Sequence, residues 1–211
     1  MSSSKIGTEI TQPEPIDSDW LRRPATAVAP DLIGCTLVRQ MPDRTIWKGM
    51  IVETEAYEPN DPAMHAYRRQ TQRNQMMFNV GGVAYVYLIY GMYHCLNIVT
   101  DSEGTPSAVL IRALQLTTMP PWVDPQQALK PDRVAAGPGK LCRAFKIDLT
   151  LNGTILQPNH ALWLEHRSPV FQEAYRLENR SLIQTTRIGL TQGVDLPWRW
   201  YLAENAAVSK T

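Results

Sequence analysis

Two stretches near the start of the chain mix apolar and β-branched residues with polar ones in short runs bounded by turn-forming or polar positions. They predict strands over residues 35–40 and 46–57. In the second, Trp47, Ile51, Glu53, Glu55 and Tyr57 fall on one face, and Met50, Val52, Thr54 and Ala56 on the other. Apolar residues occupy both faces, so this strand is expected in the sheet interior. Residues 83–90 are rich in Tyr, Val and Ile, follow a Gly81-Gly82 turn and stop at Gly91, which predicts another strand. Further strands are expected over 107–114, 161–166, 186–190 and 198–202. Helices are expected over 20–33, interrupted by Pro30, over 71–78 with Thr71 as N-cap, and over 140–146, opened by Gly137-Pro138-Gly139. Four prolines between 118 and 136 predict a long surface loop. With no βαβ rhythm, the pattern indicates a single mixed α+β domain over 20–205. A flexible N-terminal tail is expected over 1–19 and a C-terminal tail over 206–211.

Composition narrows the class. A length of 211 residues suits one domain, and 44% hydrophobic with 19% charged residues excludes a disordered chain or a disulfide-stapled miniprotein. The net charge of +1 excludes a globally basic binder but not a local basic face. The N-terminus is polar. The longest strongly apolar stretch, residues 83–93, is eleven residues and contains Gly91, short of the roughly 20 that span a bilayer. Three widely spaced cysteines form no CxxC motif, so neither a disulfide framework nor a zinc site is signalled, and a cytoplasmic compartment is expected.

Charge is uneven along the chain. Residues 1–61 carry ten acids and six bases, whereas residues 62–211 carry ten acids and fifteen bases. No Asp or Glu occurs between 62 and 100, a stretch holding Arg68, Arg69, Arg73, His65 and His94. Six of the eight tyrosines lie between Tyr57 and Tyr93. Such a stretch suits a nucleic-acid surface, with cations on phosphates and rings on bases. It equally suits a tyrosine-rich strand pair in a core.

Individual residues leave similar alternatives. Glu53 and Glu55, about 6.6 Å apart by strand rise, point to one side. They can form a structural ion pair with a residue such as Arg112, or a functional pair for hydrolysis of a glycosidic bond. His65 gains interest from its closeness to Glu55 and Tyr57. Gly137-Pro138-Gly139-Lys140 at a helix start offers an anion cradle or is simply a turn; it lacks the spacing of a Walker A loop.

Longer blocks carry more information: Val52-Glu53-Thr54-Glu55-Ala56-Tyr57, Asp61-Pro62-Ala63-Met64-His65, Arg73-Asn74, Met77-Phe78, and Tyr85-Val86-Tyr87 running to Tyr90-Gly91-Met92-Tyr93. Asn97, Val109 to Leu114, Gly137 to Cys142 and Thr186-Arg187-Ile188-Gly189 follow in order. In these blocks the chain resembles the alkyladenine (3-methyladenine) DNA glycosylase family. The resemblance implies a curved antiparallel β-sheet flanked by helices. It implies a monofunctional enzyme that works as a monomer on double-stranded DNA, without metal or organic cofactor and without a membrane. Such enzymes flip a damaged purine (3-methyladenine, 7-methylguanine, hypoxanthine or ethenoadenine) out of the duplex and hydrolyse its N-glycosidic bond.

The resemblance also assigns roles. Glu55 is expected as the general base that activates a water and stabilises the oxocarbenium-like sugar. Arg112 is expected to orient Glu55 and the water, and the Ile188-Gly189 backbone to supply a carbonyl to that water. Tyr57, His65 and Tyr87 are expected as walls of the base pocket, with Tyr57 and Tyr87 stacking on the two faces of the base. Asn97 is the expected gate against the guanine 2-amino group. Tyr90 is expected as the wedge that replaces the flipped nucleotide, with Met92 beside it; alternation places Tyr90 on the face opposite Tyr85 and Tyr87. Arg68, Arg69, Arg73 and Lys140 are expected at phosphates. Glu53 is given only a structural or supporting role. Two alternatives stand beside this one. An inert nucleic-acid-binding module of the same fold would be free to lose Glu55 and Arg112. A carboxylate hydrolase of nucleosides would have no use for Tyr90.

Overall fold

The computed structural model describes residues 13–177 and 181–209. Helices α1 (Ser18–Leu21) and α2 (Ala25–Leu32) lead into strands β1 (Thr36–Gln40) and β2 (Ile46–Tyr57). A loop and a 3-10 turn at Gln75–Phe78 precede β3 (Ala84–Ile89), β4 (Tyr93–Val99) and β5 (Ala108–Leu116). Three short helices follow, α3 (Pro125–Ala128), α4 (Pro131–Val134) and α5 (Pro138–Ala144), then a 3-10 turn at Leu149–Leu151. The chain closes with β6 (Leu162–Glu165), α6 (Pro169–Leu177), β7 (Leu182–Thr185) and β8 (Arg199–Leu202).

The strands form one curved antiparallel sheet in the order β3-β4-β5-β2-β1-β6, with β8 also paired to β2 and β7 to β8. The fork follows from strand length. At twelve residues β2 extends about 40 Å, far beyond the five of β1 or the four of β8. Its first half pairs with β1 and Glu53–Glu55 pair with β8, while β5 runs along its other edge. The β2–β5 ladder is irregular at Glu53, and Arg112 drops out of the pairing there.

Register decides which side chains meet, because directly opposed residues share a face. Tyr85 opposes Asn97, Asn97 opposes Leu110, Leu110 opposes Glu55, and Glu55 opposes Arg199. One row across five strands therefore carries the polar chemistry. The reverse face packs on α2, where the Thr54 hydroxyl donates to the Ala29 carbonyl at 2.9 Å. Helix α5 lies on the Glu55 face. Its C-terminal neighbour Phe145 sits over Gly49, where a Cβ would lie 3.2 Å from the Phe145 ring and 3.1 Å from Leu114. Gly49 thus permits the close approach that seats α5.

Several expected elements differ. The helix over 20–33 is two helices: Pro24 is the N-cap of α2, and Pro30 lies within α2 itself. The helix over 71–78 shrinks to the 3-10 turn, and Thr71 accepts from the Asn74 amide at 3.4 Å without capping an α-helix. In the expected loop 118–136, Pro125 and Pro131 occupy first-turn positions of α3 and α4, where a missing N–H costs nothing. The strand expected over 186–190 is β7, four residues earlier; 186–190 is a loop. Strands β4 and α6 lay outside the expected elements.

The described parts of both expected tails are packed. Ile16 is buried and its amide donates to Leu164 O, and Ala207 and Val208 are buried in the core. The remaining expected tail positions, 1–12 and 210–211, lie outside the described residues. Replacing Gly49 by Val should force α5 off the sheet. A destabilisation of about 1–3 kcal/mol is expected, read as a lower urea midpoint at unchanged m-value.

Candidate active site

A cleft of about 460 Å³ opens on the Glu55 face, between the β3–β4 hairpin, the first turn of α5 and the 186–190 loop. Its aromatic lining comes from Tyr57, Tyr87, Tyr90 and Tyr93, with Arg112 and Ile188 at its inner end.

Glu55 is fully buried, and both of its oxygens are held. Oε1 receives the Ile188 N–H at 2.8 Å and lies 3.1 Å from Arg112 Nη1. Oε2 receives the Tyr57 hydroxyl at 2.9 Å. A carboxylate offers about four acceptor sites, so one position on Oε2 is left for a further donor. Burial works against the charge of Arg112, but Glu55 and Glu53 outweigh it and raise its pKa. The Tyr57 phenol is raised by burial, then by the Glu55 charge; it stays protonated and donating. Burial also raises Tyr87, and lifts Tyr85 to about 12. The three phenols are therefore neutral near pH 7.

The 186–190 segment is held by a pair that sequence reading did not single out. Arg187 and Asp61 are both buried and form a two-point ion pair, with Arg187 Nη2 at 2.9 Å from Asp61 Oδ1 and Nη1 bonded to Oδ2. Arg187 also donates to Ala56 O at 3.0 Å and lies 4.7 Å over the Tyr57 ring. It thus fixes Ile188 and Tyr57 together. Both residues sit in the family-like blocks, the one signal that could have found them. The 186–190 segment also reaches Glu55 directly, through the Ile188 N–H, a contact that sequence reading did not anticipate.

The hairpin tip is strained. Tyr90 has φ 52° and Gly91 φ 68°, and the Met92 amide donates to Ile89 O at 3.2 Å. A left-handed Tyr costs roughly 1–2 kcal/mol. Tyr90 is 81% exposed and Met92 67%. Tyr90 lies in the turn, not in the strand, and borders the same cleft as Tyr87; the strand alternation that put it on the opposite face stops at Ile89.

The remaining expected site residues divide by position. Lys140 is exposed at the cleft edge, and Arg73 donates to Leu88 O at 3.1 Å with its guanidinium 5.7 Å from the Tyr87 ring. Arg68 and Arg69 are exposed on the loop before them. Glu55, His65 and Asn97 are not among the cleft-lining residues; Glu55 lies behind Tyr57, Arg112 and Ile188. His65 packs edge-on to Tyr87 at 4.5 Å and its Nδ1 lies 3.0 Å from the Tyr85 hydroxyl. Asn97 is buried and donates to Tyr85 O at 3.2 Å. Among the described residues, no cluster of three His, Cys, Asp or Glu could hold a metal, and no helix is long and apolar enough to cross a membrane.

The chain is similar over most of its length to known proteins. Residues 19–206 match the family model described as methylpurine-DNA glycosylase (MPG). The chain belongs to this family. It is accordingly a DNA glycosylase, an enzyme class of DNA repair. A protein of Trichodesmium erythraeum, provisionally named 3-methyladenine DNA glycosylase, is 57% identical over 202 residues, covering 93% of this chain and 98% of the relative. A relative from a Synechococcus strain with the same provisional name is 54% identical, covering 90% of this chain and 97% of its own. Another, from Carboxydothermus hydrogenoformans, is 44% identical, covering 89% and 95%.

Packing of one side of the imidazole against Tyr85 and Tyr87, then the nearby Arg73 charge, lowers the pKa of the otherwise exposed His65 from 6.5. The unfolded chain therefore binds the proton more readily. The neutral ring contributes stability in full above the unfolded pKa of about 6.5, and that contribution is lost as pH falls below it through the lower folded value. An NMR titration should place His65 below the usual range, and His65→Gln should flatten the fall in stability towards acid.

Proposed function

We propose that the cleft receives a damaged purine flipped from duplex DNA and that Glu55 activates the water that releases it. The observation that carries this reading is the Glu55 carboxylate. It is buried directly behind Tyr57, Arg112 and Ile188, three residues that line the aromatic cleft, and it contacts all three, with an acceptor position left on Oε2. A water donating at that position would be aimed at the sugar. As the C1′–N bond breaks, the purine leaves with the bonding pair, the water oxygen bonds C1′ and its proton passes to Glu55. The ionised carboxylate stabilises the cationic sugar as it forms.

The tyrosines account for selection. Alkylation at a ring nitrogen makes a purine cationic, and an aromatic face attracts a cation by about 0.5–2 kcal/mol. Tyr87 offers one wall. Tyr57 already carries Arg187 over its ring, so the base meets its other face. Of the proposed substrates, 3-methyladenine and 7-methylguanine are cationic in DNA and gain this attraction, whereas hypoxanthine and ethenoadenine are neutral and gain only stacking, and their departure needs a proton on the purine. Asn97, tied to the Tyr85 backbone, restricts the pocket from the sheet side against a guanine 2-amino group, and His65 sets Tyr85 and Tyr87. Tyr90 fills the space left in the helix, with Met92 against the opposite strand. Arg68, Arg69, Arg73 and Lys140 meet phosphates. The enzyme acts as a monomer, and the reaction calls for no metal or organic cofactor.

The test is single-turnover base release from duplexes carrying one hypoxanthine or one ethenoadenine, beside methylated DNA and a lesion-free duplex. Wild type should release the damaged base. Glu55→Gln should slow release by at least roughly a hundredfold while still binding lesion DNA. No release from any lesion with DNA binding intact would leave an inert binding module instead.

Tyr90→Ala should weaken capture of the flipped base more than it slows chemistry. A lesion that fluoresces when unstacked, such as ethenoadenine, reads the flipping equilibrium directly. An effect confined to the chemical step at saturating enzyme would contradict the wedge.

A further inference from the structure

We propose that Glu53 and the C-terminal strap, residues 206–209, are positioning elements of the active site, acting through Arg112; the proposal rests on the reading of Glu55 given above. Arg112 is shared by two carboxylates. Its Nη1 lies 3.1 Å from Glu55 Oε1, and its Nε donates to Glu53 Oε1 at 3.2 Å. A guanidinium is planar and rigid, so fixing Nε fixes the direction of Nη1. Glu53 itself is fully buried and is held from two further directions: Arg199 Nε donates to Oε1 at 2.7 Å, and the Ser209 amide donates to Oε2 at 2.8 Å.

The strap is held in turn. Arg133 Nη1 donates to Ala206 O and Val208 O at 2.9 and 2.7 Å, and its Nη2 to Ser209 O at 3.1 Å. Ala207 and Val208 are buried in the core, which places the Ser209 amide against Glu53. A continuous set of bonds thus runs from Arg133 through the strap and Glu53 to Arg112 and Glu55. The links are hydrogen bonds up to Arg112, and the last one, Arg112 to Glu55, is an ion pair at 3.1 Å. The arrangement assigns different work to the two glutamates of one strand: Glu53 aims the arginine and Glu55 uses it.

Two variants test this in the full-length chain. Glu53→Gln keeps size and one acceptor oxygen but removes the charge. Ser209→Pro removes a single N–H donor at the surface end of the network and leaves the pocket residues in place. Release from a hypoxanthine duplex at saturating enzyme should slow about tenfold in Glu53→Gln and about threefold in Ser209→Pro, with lesion binding unchanged and both variants still folded at the assay temperature. In proton–nitrogen spectra, the protected Arg112 Nε–H signal should shift and exchange faster in both variants. The proposal is overturned by an unmoved Arg112 signal, by unchanged release in an active enzyme, or by a slowing that comes only with lost binding or with unfolding at the assay temperature. Wild type and Glu55→Gln run alongside. If wild type releases no base, or Glu55→Gln releases it normally, the reading of the site fails, and the Arg112 signal alone decides whether Glu53 and the strap position it.

Discussion

Two buried carboxylates on one strand impose the constraint that the rest of the site satisfies. Removing a carboxylate from water costs several kcal/mol unless partners replace its hydration. Glu53 and Glu55 are both fully buried and both project from β2 towards Arg112. Arg112 can reach both because the β2–β5 ladder is irregular opposite it, which releases its backbone from regular pairing. Arg199, opposite Glu55 in register, supplies the second cation to Glu53. Strand β2 is long enough to accept β8 beside it, and β8 brings Arg199. Fold topology and charge pairing are thus one arrangement.

A similar economy governs the walls. Asp61 and Arg187 form a buried pair far apart in sequence, and removing one partner of such a pair leaves a bare charge worth about 3–5 kcal/mol. The pair ties the end of β2 to the loop that presents Ile188 to Glu55. It also sets a cation over one face of Tyr57. The position of the Tyr57 hydroxyl, and hence one hydrogen bond to Glu55, is therefore fixed by a contact outside the cleft. The conformationally costly residue, Tyr90, stands instead at an exposed hairpin tip, where its left-handed backbone is supported by the adjoining Gly91 and by the β3–β4 ladder.

How much of this was legible in the sequence varies with what fixes each residue. Strand β2 could be read to its ends because a twelve-residue run of apolar and β-branched residues mixed with polar ones is a local signal. Strand β4 could not, because His94 and Asn97 interrupt its apolar run, and Asn97 is polar for the contact it makes to Tyr85. The segment 186–190 has strand-like residues, but Arg187 is claimed by Asp61, a partner 126 positions away. Ala207 and Val208 form too short an apolar pair to announce burial; Arg133 and Glu53 hold their backbone in place. Glu55 and Arg112 came from the family-like blocks, since composition alone left a structural ion pair equally open. The structure contains both arrangements: Glu53 makes the enclosed ion pair, and Glu55 faces the cleft end of the same arginine.

The placement of donors around Glu55 then bears on how a water would be held. Tyr57 and the Ile188 amide each take one acceptor site on opposite oxygens of the carboxylate, and Arg112 lies 3.1 Å from Oε1 as an ion-pair partner. The three partners come from β2, β5 and the 186–190 loop, so no single side-chain motion removes more than one of them. Tyr57 keeps its proton because burial and the Glu55 charge oppose its ionisation. Arg112 keeps its charge because the two glutamates outweigh its burial. With those protonation states fixed, Oε2 keeps an acceptor site beside the Tyr57 hydroxyl, while Oε1 is crowded by the Ile188 amide and Arg112. Such a site orients its nucleophile by having filled the other positions, and the orientation is paid for during folding rather than during the reaction.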